Sequence, residues 1–327
     1  MNLNPHIFNA DVEQAAIRDG FGEGLVIAGE KDARVVGLCA DLTESTKMLA
    51  FKKKFPERFI EIGVAEQNLA SVASGMAAMG KIPFISSYAM FSPGRNWEQI
   101  RTTICYNDRK VIIAGNHAGV SVGPDGGSHQ AIEDIAITRV IPNLIVIAPC
   151  DSIEAKKATV AAASNEVKGP VYIRLARERT PVITTEETPF VIGKAQEFFR
   201  GKNAPVVAIM ATGALLFKAL KVAHDLDEKG ISSIVLNIAS IKPLDREAVT
   251  SAAKETGAVV TIEEHQIAGG MGSAMAECLA AHQPVPIEFI GVKDLFGQSG
   301  TPTELMEHYG MGEKDIRSAI EKVIKRK

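Results

Sequence analysis

The sequence has little with which to grip a polyanion, cross a membrane or cross-link itself. Its 36 Lys and Arg are outweighed by 39 Asp and Glu, and the basic residues form no run longer than Lys52-Lys53-Lys54. Binding nucleic acid needs a clustered basic face, so nucleic acid is not an expected partner. No apolar stretch approaches the roughly 20 residues of a membrane-spanning helix, so no membrane partner is expected either. The opening MNLNPHIFNADVEQ lacks a basic n-region and an apolar h-region, which leads to the expectation of a cytoplasmic protein. Cys39, Cys105, Cys150 and Cys278 are scattered without a CxxC pair. They read as small buried thiols in a reducing compartment, with no disulfide or zinc framework.

What is present is an alternation. The chain has 327 residues, 46% hydrophobic and 23% charged, enough for two domains of ordinary globular composition. Apolar runs at 34–40, 58–64, 110–115, 143–149 and 171–176 read as strands. Between them, 66–79, 97–105, 129–139 and 152–163 read as helices. This is the signature of an α/β fold with a mainly parallel sheet and helices on both faces. Composition shifts at RERTPVITTEETPFVIG (177–193), which has no helical period and carries Pro181 and Pro189. A second α/β set follows: PVVAIMA, a helix over 214–229, SSIVLNI, a helix over 245–255, AVVTIEE, a helix over 271–281, PIEFIGV, and a charged helix from Glu313. The division expected is a first domain over 1–180, a linker over 181–195 and a second domain over 196–327.

Ligands of open parallel sheets gather at the carboxyl ends of the strands. Those ends carry Asp41, Glu66, and Asn116-His117 with the loop GVSVGPDGGSHQ, which contains Asp125 and ends near His129. Glu66 stands between an apolar strand and a helix of small residues, flanked by Val64 and Ala65. No Lys or Arg lies between Glu61 and Lys81 to pair with it. If buried, its carboxyl would resist ionisation, and a shift of three pKa units corresponds to about 4 kcal/mol. The helix N-terminus pulls the other way, and a solvent-facing glutamate in the first helical turn is the alternative reading.

The run IEIGVAEQNLASVASGMAAMG, followed by SYAMF and then HAGVSVGPDGGSHQ, resembles the pyrimidine-binding domain of transketolase. The wider family includes 1-deoxyxylulose-5-phosphate synthase and the beta chain of 2-oxo acid dehydrogenases. TIEEHQIAGGMGS and LFGQSGTPTELMEHYG extend the resemblance through the second domain, to a transketolase C-terminal-like domain. The resemblance implies thiamine diphosphate as cofactor, with Glu66 touching N1′ of its aminopyrimidine through a retained proton. On this reading no cation is wanted beside Glu66. It further implies that Asp41 and Leu42 face the cofactor and that Tyr88 and Phe91 pack around the pyrimidine. A third aromatic common in transketolases would fall at Gly94, where this chain departs. His129 matches a histidine near the reacting carbonyl, with His117 as a second catalytic candidate. Asp125 matches an acid that reads a substrate hydroxyl, while Arg18, Ser45, His117 and Arg177 match positions that hold a sugar phosphate.

Singly, each of these residues has a structural alternative. Arg18 could pair with Asp19 or Asp11 on a surface helix, and Arg177 could solvate the linker. Tyr88 and Phe91 could be core, and Asp125-Gly126-Gly127 only a turn. GGMGS (269–273) lacks the dinucleotide pattern and reads as a tight turn into a helix. Glu263-Glu264-His265 reads as a structural loop or an interface.

The metal-anchoring GDG…N sequence of the family does not occur in this chain. The resemblance therefore implies that thiamine diphosphate and Mg²⁺ are completed by a separate, GDG-containing N-terminal transketolase subunit. The helix after Glu66 is small all round, which suits close approach by another subunit and self-association into a dimer core. The expectation is a split transketolase moving a two-carbon ketol unit between sugar phosphates in the pentose phosphate pathway, as a heterotetramer. Synthase-like or dehydrogenase-beta-like chemistry, or a non-catalytic regulatory module, are the alternatives.

Overall fold

Strand composition dictates two large sheets, beside which a two-stranded ribbon forms. The computed structural model describes residues 2–327. In the first sheet the strand order is Ser240–Lys242, Ile145–Ile147, Val171–Leu175, Ile112–Asn116, Ile82–Tyr88, Val35–Cys39, Phe59–Glu61. Every neighbouring pair is parallel except the first. Strands buried on both faces need apolar residues at successive positions, as in VVGLC and VYIRL, where every residue is buried. Side chains alternate between the faces. Val36 and Leu38 meet Leu69 and Ala73 of the helix Glu66–Ala78, whereas Val35 and Cys39 meet Phe21 and Leu25 of the helix Ile17–Lys31.

The second sheet runs Ile287–Val292, Val259–Gln266, Val207–Ala211, Ser233–Asn237, Gln196–Arg200, antiparallel only at the last pair. It is flanked by the helices Leu216–Asp227, Arg246–Thr256, Met271–His282 and Glu313–Ile324. The chain is thus two domains, each a mainly parallel sheet with helices against it, as the apolar alternation implies.

Several local expectations are corrected. The helix Ile17–Lys31 has no apolar period that its four glycines leave legible. A Cβ at Gly20 would stand 1.7 Å from the Ser152 carbonyl oxygen, and one at Gly24 would stand 2.7 Å from the Thr159 Cβ. The glycines let this helix lie directly on the helix Ser152–Ala163, and that packing offsets their poor helix propensity. The central strand Ile82–Tyr88 carries Pro83 near its start, where a missing amide is tolerated. Of the helix expected over 129–139 only Asp134–Arg139 forms, with His129 in the turn before it. The segment Trp97–Cys105 begins as one α turn and widens into π-helical turns from Ile100.

The two domains also share structure. Ser240–Lys242 of the second domain pairs with Ile145–Ile147 and extends the first sheet. Arg179–Pro181, in the segment of shifted composition, pairs antiparallel with Gln14–Ala16. Just beyond it, the amides of Ile183 and Thr184 donate to Asp151 Oδ2 at 2.8 and 2.6 Å. All four cysteines are buried and unpaired. Among the described residues no helix is long and apolar enough to cross a membrane.

Candidate active site

The parallel order puts the carboxyl ends of five adjacent strands on one edge of the first sheet, and the candidate residues follow from those ends. Tyr88 closes Ile82–Tyr88, His117 follows Ile112–Asn116, Arg177 follows Val171–Leu175, Asp41 follows Val35–Cys39, and Glu66 opens the helix reached from Phe59–Glu61. Tyr88 stacks on His117 with ring centroids 3.9 Å apart, and Phe91 lies edge-on to His129 at 5.3 Å. His129 Nδ1 is 3.0 Å from the Ser128 hydroxyl.

His117 is buried and adopts the left-handed region, φ 55°, which is unusual for a residue with a side chain. Burial, reinforced by the charges of Arg18 and Arg177, pushes its imidazole pKa down to about 3. The ring is therefore neutral near pH 7. Arg18 Nη1 lies 3.2 Å from His117 Nε2. A guanidinium can only donate, so Nε2 accepts and the ring proton resides on Nδ1. That nitrogen is buried without a protein partner, as are Asn116 Oδ1, Ser121 Oγ, Ser87 Oγ and Arg18 Nε. A cluster of orphaned polar atoms at strand ends is costly unless something else satisfies it.

Arg18 also donates from Nη1 to the Ser45 backbone carbonyl at 2.8 Å, so Ser45 meets it through its main chain. Burial lowers the Arg18 pKa. Arg177 donates to the Val122 carbonyl at 2.7 Å and to Asp125 Oδ1 at 3.3 Å, which ties it to the loop bearing Asp125 and His129. Arg18, Ser45, His117, Tyr88, Phe91 and His129 are thus connected by direct contacts, and Arg177 with Asp125 joins them through the loop that also bears His129. Asp41 and Leu42 lie at the same sheet edge but are anchored elsewhere. The Asp41 amide, at φ 57°, donates to Glu61 Oε1 at 2.7 Å, and Leu42 packs toward the core on the other face of the sheet.

Glu66 departs from expectation. It is buried, but Arg95 Nη1 stands 2.8 Å from its Oε2 in an ion pair. The idea that no cation lies near Glu66 looked only at residues close in sequence. Arg95 is 29 positions away and returns through the turn after Tyr88. Its amide donates to the Phe91 carbonyl at 3.1 Å, and its guanidinium sits over the Phe91 ring, 4.7 Å from the centroid. The i, i+4 spacing of Phe91 and Arg95 was the available signal. At Gly94 a Cβ would stand 2.0 Å from the Met90 carbonyl oxygen, so this turn admits no side chain there. Asn96 Nδ2 donates to the Glu66 carbonyl at 2.9 Å and fixes the start of the helix.

Three further residues hold the site: Glu61 and Gln130 lie inside the quoted runs with no role assigned to them, and Glu264 lies where a structural loop or an interface is expected. Glu61 accepts from the Asp41 and Gly63 amides and from the Thr43 hydroxyl, joining two strand ends. Gln130 Nε2 donates to the carbonyls of Val120 and Gln298, at 3.1 and 3.0 Å. Glu264, from the second domain, accepts from the Ser121 amide at 2.6 Å. The acids Glu263 and Glu264 thus lie on the strand Val259–Gln266, and Glu264 makes an interdomain contact. Glu263 accepts from the amides of Met271 and Gly272 at 2.6 and 2.8 Å. The GGMGS turn therefore leads into its helix with its first amides already satisfied, the structural role expected of it.

Comparison with known proteins places the fold in a family. Residues 13–182 match the family model described as transketolase, pyrimidine binding domain, and residues 193–316 match transketolase, C-terminal domain. The fold and its two modules are those of thiamine-diphosphate enzymes of the transketolase type. The chain belongs to the transketolase family. It is 43% identical to a putative transketolase C-terminal section of Methanocaldococcus jannaschii, covering 95% of this chain and 96% of that protein. It is 39% identical to the 6-deoxy-6-sulfo-D-fructose transketolase subunit SqwH of a Clostridium species, covering 98% of each. A solved split-gene transketolase, described as an inactive beta4 tetramer, superposes with a TM-score of 0.87 at 44% identity, covering 95% of this chain and 98% of that one. The chain thus corresponds along its length to the C-terminal section of a split transketolase.

Proposed function

We propose that this chain is the catalytic-glutamate subunit of a two-chain transketolase, transferring a two-carbon ketol unit between phosphorylated sugars. A GDG-containing N-terminal subunit is its partner on this reading and holds Mg²⁺ and the cofactor's diphosphate. Residues 1–180 supply the pyrimidine half of the site, 181–195 the connection and 196–327 the supporting domain. The assembly is a heterotetramer built on a dimer core of this chain, in the cytoplasm. The observation that carries the reading is the convergence of Glu66, Phe91, Tyr88, His117, His129 and two arginines on one sheet edge, with orphaned polar atoms among them.

The donor set fits the pyrimidine end of thiamine diphosphate: one buried carboxylate beside an aromatic face. When bound, that cofactor supplies a carbon nucleophile and an electron sink for cleaving the bond next to a ketose carbonyl. Glu66 holds a proton at the pyrimidine N1′, Phe91 and Tyr88 line the ring's seat, and Asp41 and Leu42 border it. The His117 Nδ1–H is a free donor for a substrate oxygen, and His129 moves a proton at the reacting carbonyl. Asp125 accepts from a sugar hydroxyl. Arg18, Arg177 and Ser45 bind the terminal anion, for which two guanidiniums are apt ligands. The same pair would accept a sulfonate, the group named in one relative's substrate, so the sugar is tested with both anions.

The deciding experiment measures ketol transfer with thiamine diphosphate and Mg²⁺, for this chain alone and mixed with its GDG-containing partner. Activity is expected only in the mixture, as the inactive beta4 state of the solved relative suggests, and Glu66→Ala should reduce it at least a thousandfold. A mixture that forms a complex yet transfers nothing, with phosphate or sulfonate sugars, overturns the reading.

A further inference from the structure

The ion pair between Arg95 and Glu66 has a form that its surroundings do not require. A guanidinium is a planar cation built on an N–C–N unit, and a pyrimidine presents a planar N–C–N unit, N1′–C2′–N3′, whose N1′ is the atom the reading above gives to Glu66. Here the Arg95 guanidinium makes the two contacts that the reading above assigns to the pyrimidine. It lies over Phe91, 4.7 Å from the ring centroid, and it donates to Glu66 Oε2 at 2.8 Å. We propose that Arg95 is a resident stand-in for the cofactor's pyrimidine: it holds Glu66 while the seat is empty and leaves as the cofactor enters. The inference rests on the reading that Glu66 and Phe91 receive that ring.

The two partners are unequally free to move. The Glu66 side chain is 3% exposed and sits at a helix start whose carbonyl is held by Asn96. The Arg95 side chain is 49% exposed and can turn into water without uncovering core. A buried carboxylate left alone is expensive, so an empty seat favours some partner for Glu66. Because Arg95 stands one helical turn after Phe91, and Gly94 leaves that turn tight, the guanidinium is delivered to the ring face by local geometry alone. Cofactor binding is then an exchange at Glu66 of a guanidinium that donates to the carboxylate for a flat ring nitrogen that shares a proton with it, and part of the cofactor's affinity is spent on releasing Arg95.

The test is a calorimetric titration of thiamine diphosphate, with Mg²⁺ present, into the assembled two-chain complex carrying wild-type chain, Arg95→Ala, Arg95→Met or Glu66→Gln. Arg95→Ala and Arg95→Met should bind the cofactor about three- to tenfold more tightly, the factor a half-exposed ion pair commands. Unliganded, both should melt below wild type, with the gap closing when cofactor is added. Arg95→Met keeps the apolar stem and serves if the alanine variant does not fold. Weaker binding by both would make Arg95 a cofactor ligand and overturn the exchange. Unchanged binding, with Glu66→Gln weakened, would overturn it too while leaving the functional reading in place. If no form binds the cofactor in a complex shown to assemble, both ideas fall together.

Discussion

The two domains share an architecture but spend the polar groups at their strand ends differently. In the first domain, His117 Nδ1, Asn116 Oδ1 and Ser121 Oγ are buried without partners, and Asp41 and His117 hold left-handed backbone. In the second, Glu263 gives both oxygens to the helix that follows it, and Glu264 reaches across to the Ser121 amide. His265 Nε2 accepts from the Ala136 amide at 3.3 Å. The second edge also leaves Asn237 Oδ1 and Glu264 Oε2 without partners, but only the first gathers such atoms beside two arginines, two histidines and two aromatic rings. The lesson is that topology offers a site at every parallel sheet, and the charged and aromatic groups gathered at the strand ends distinguish the one that takes it.

The sharpest way to break this division is to cut the joint between the domains. Arg174 Nε donates to Asp134 Oδ2 at 2.8 Å with both side chains buried, the Tyr172 hydroxyl donates to the same oxygen at 2.6 Å, and Arg174 Nη2 donates to the Glu264 carbonyl at 2.8 Å. Asp134→Ala strands a buried guanidinium and should cost about 3–5 kcal/mol, read from urea unfolding.

A second test sets two groups of the first domain against each other by pH. Burial, with Asp151 nearby, raises the Glu154 pKa from 4.5 to about 7. The folded state then binds more protons than the unfolded one between those values. Stability from this group is complete below pH ~4.5 and lost as pH rises through about 7. Glu154→Gln should flatten the alkaline loss by roughly 2–3 kcal/mol between pH 5 and 8. Asn237 Nδ2 donates to Glu154 Oε1 at 2.7 Å, and the partnerless Asn237 Oδ1 can accept from the new amide after rotation. His117 slopes oppositely: depressed to about 3, its contribution is present above about 6.5 and lost as pH falls toward 3. A variant whose profile stays unchanged would refute this account of Glu154.

The smallest effect belongs to the strut itself. Glu264→Ala leaves the Ser121 amide unsatisfied and should cost about 1–3 kcal/mol. Faster hydrogen exchange confined to residues 119–130 would show that the second domain steadies the substrate loop, and uniform exchange would show that it does not.

Much of this was legible from the chain. Strand ends can be read because continuous apolar runs such as VVGLC end abruptly in polar residues, which is what marks Asp41, Glu66 and His117 in the sequence. The second domain's helices over 214–229, 245–255 and from Glu313 were equally plain because their apolar period is strong, whereas Pro302–His308 is too short to show one. The failures share a cause, which is that each depended on a partner distant in sequence. The glycines of Ile17–Lys31 erase its apolar period, and only the distant backbone that fills their place, such as that of Ser152, accounts for them. Pro83 hid a central strand. Arg95 was invisible from Glu66 because the pairing crosses 29 residues, and Glu264, read as part of a structural loop or an interface, had no visible partner because its donor is 143 residues away.

The strand Ser240–Lys242 has a consequence for anyone who would cut this protein in two. It is three residues long and comes from beyond the connecting segment, yet it shields the Ile145-Val146-Ile147 edge of the first sheet. A fragment stopping at Gly193 would leave that apolar β-edge uncapped, a ready template for pairing with its own copies. The gene that ends between these modules would make an aggregating product. The boundary visible in composition is therefore not a boundary at which the molecule can be divided.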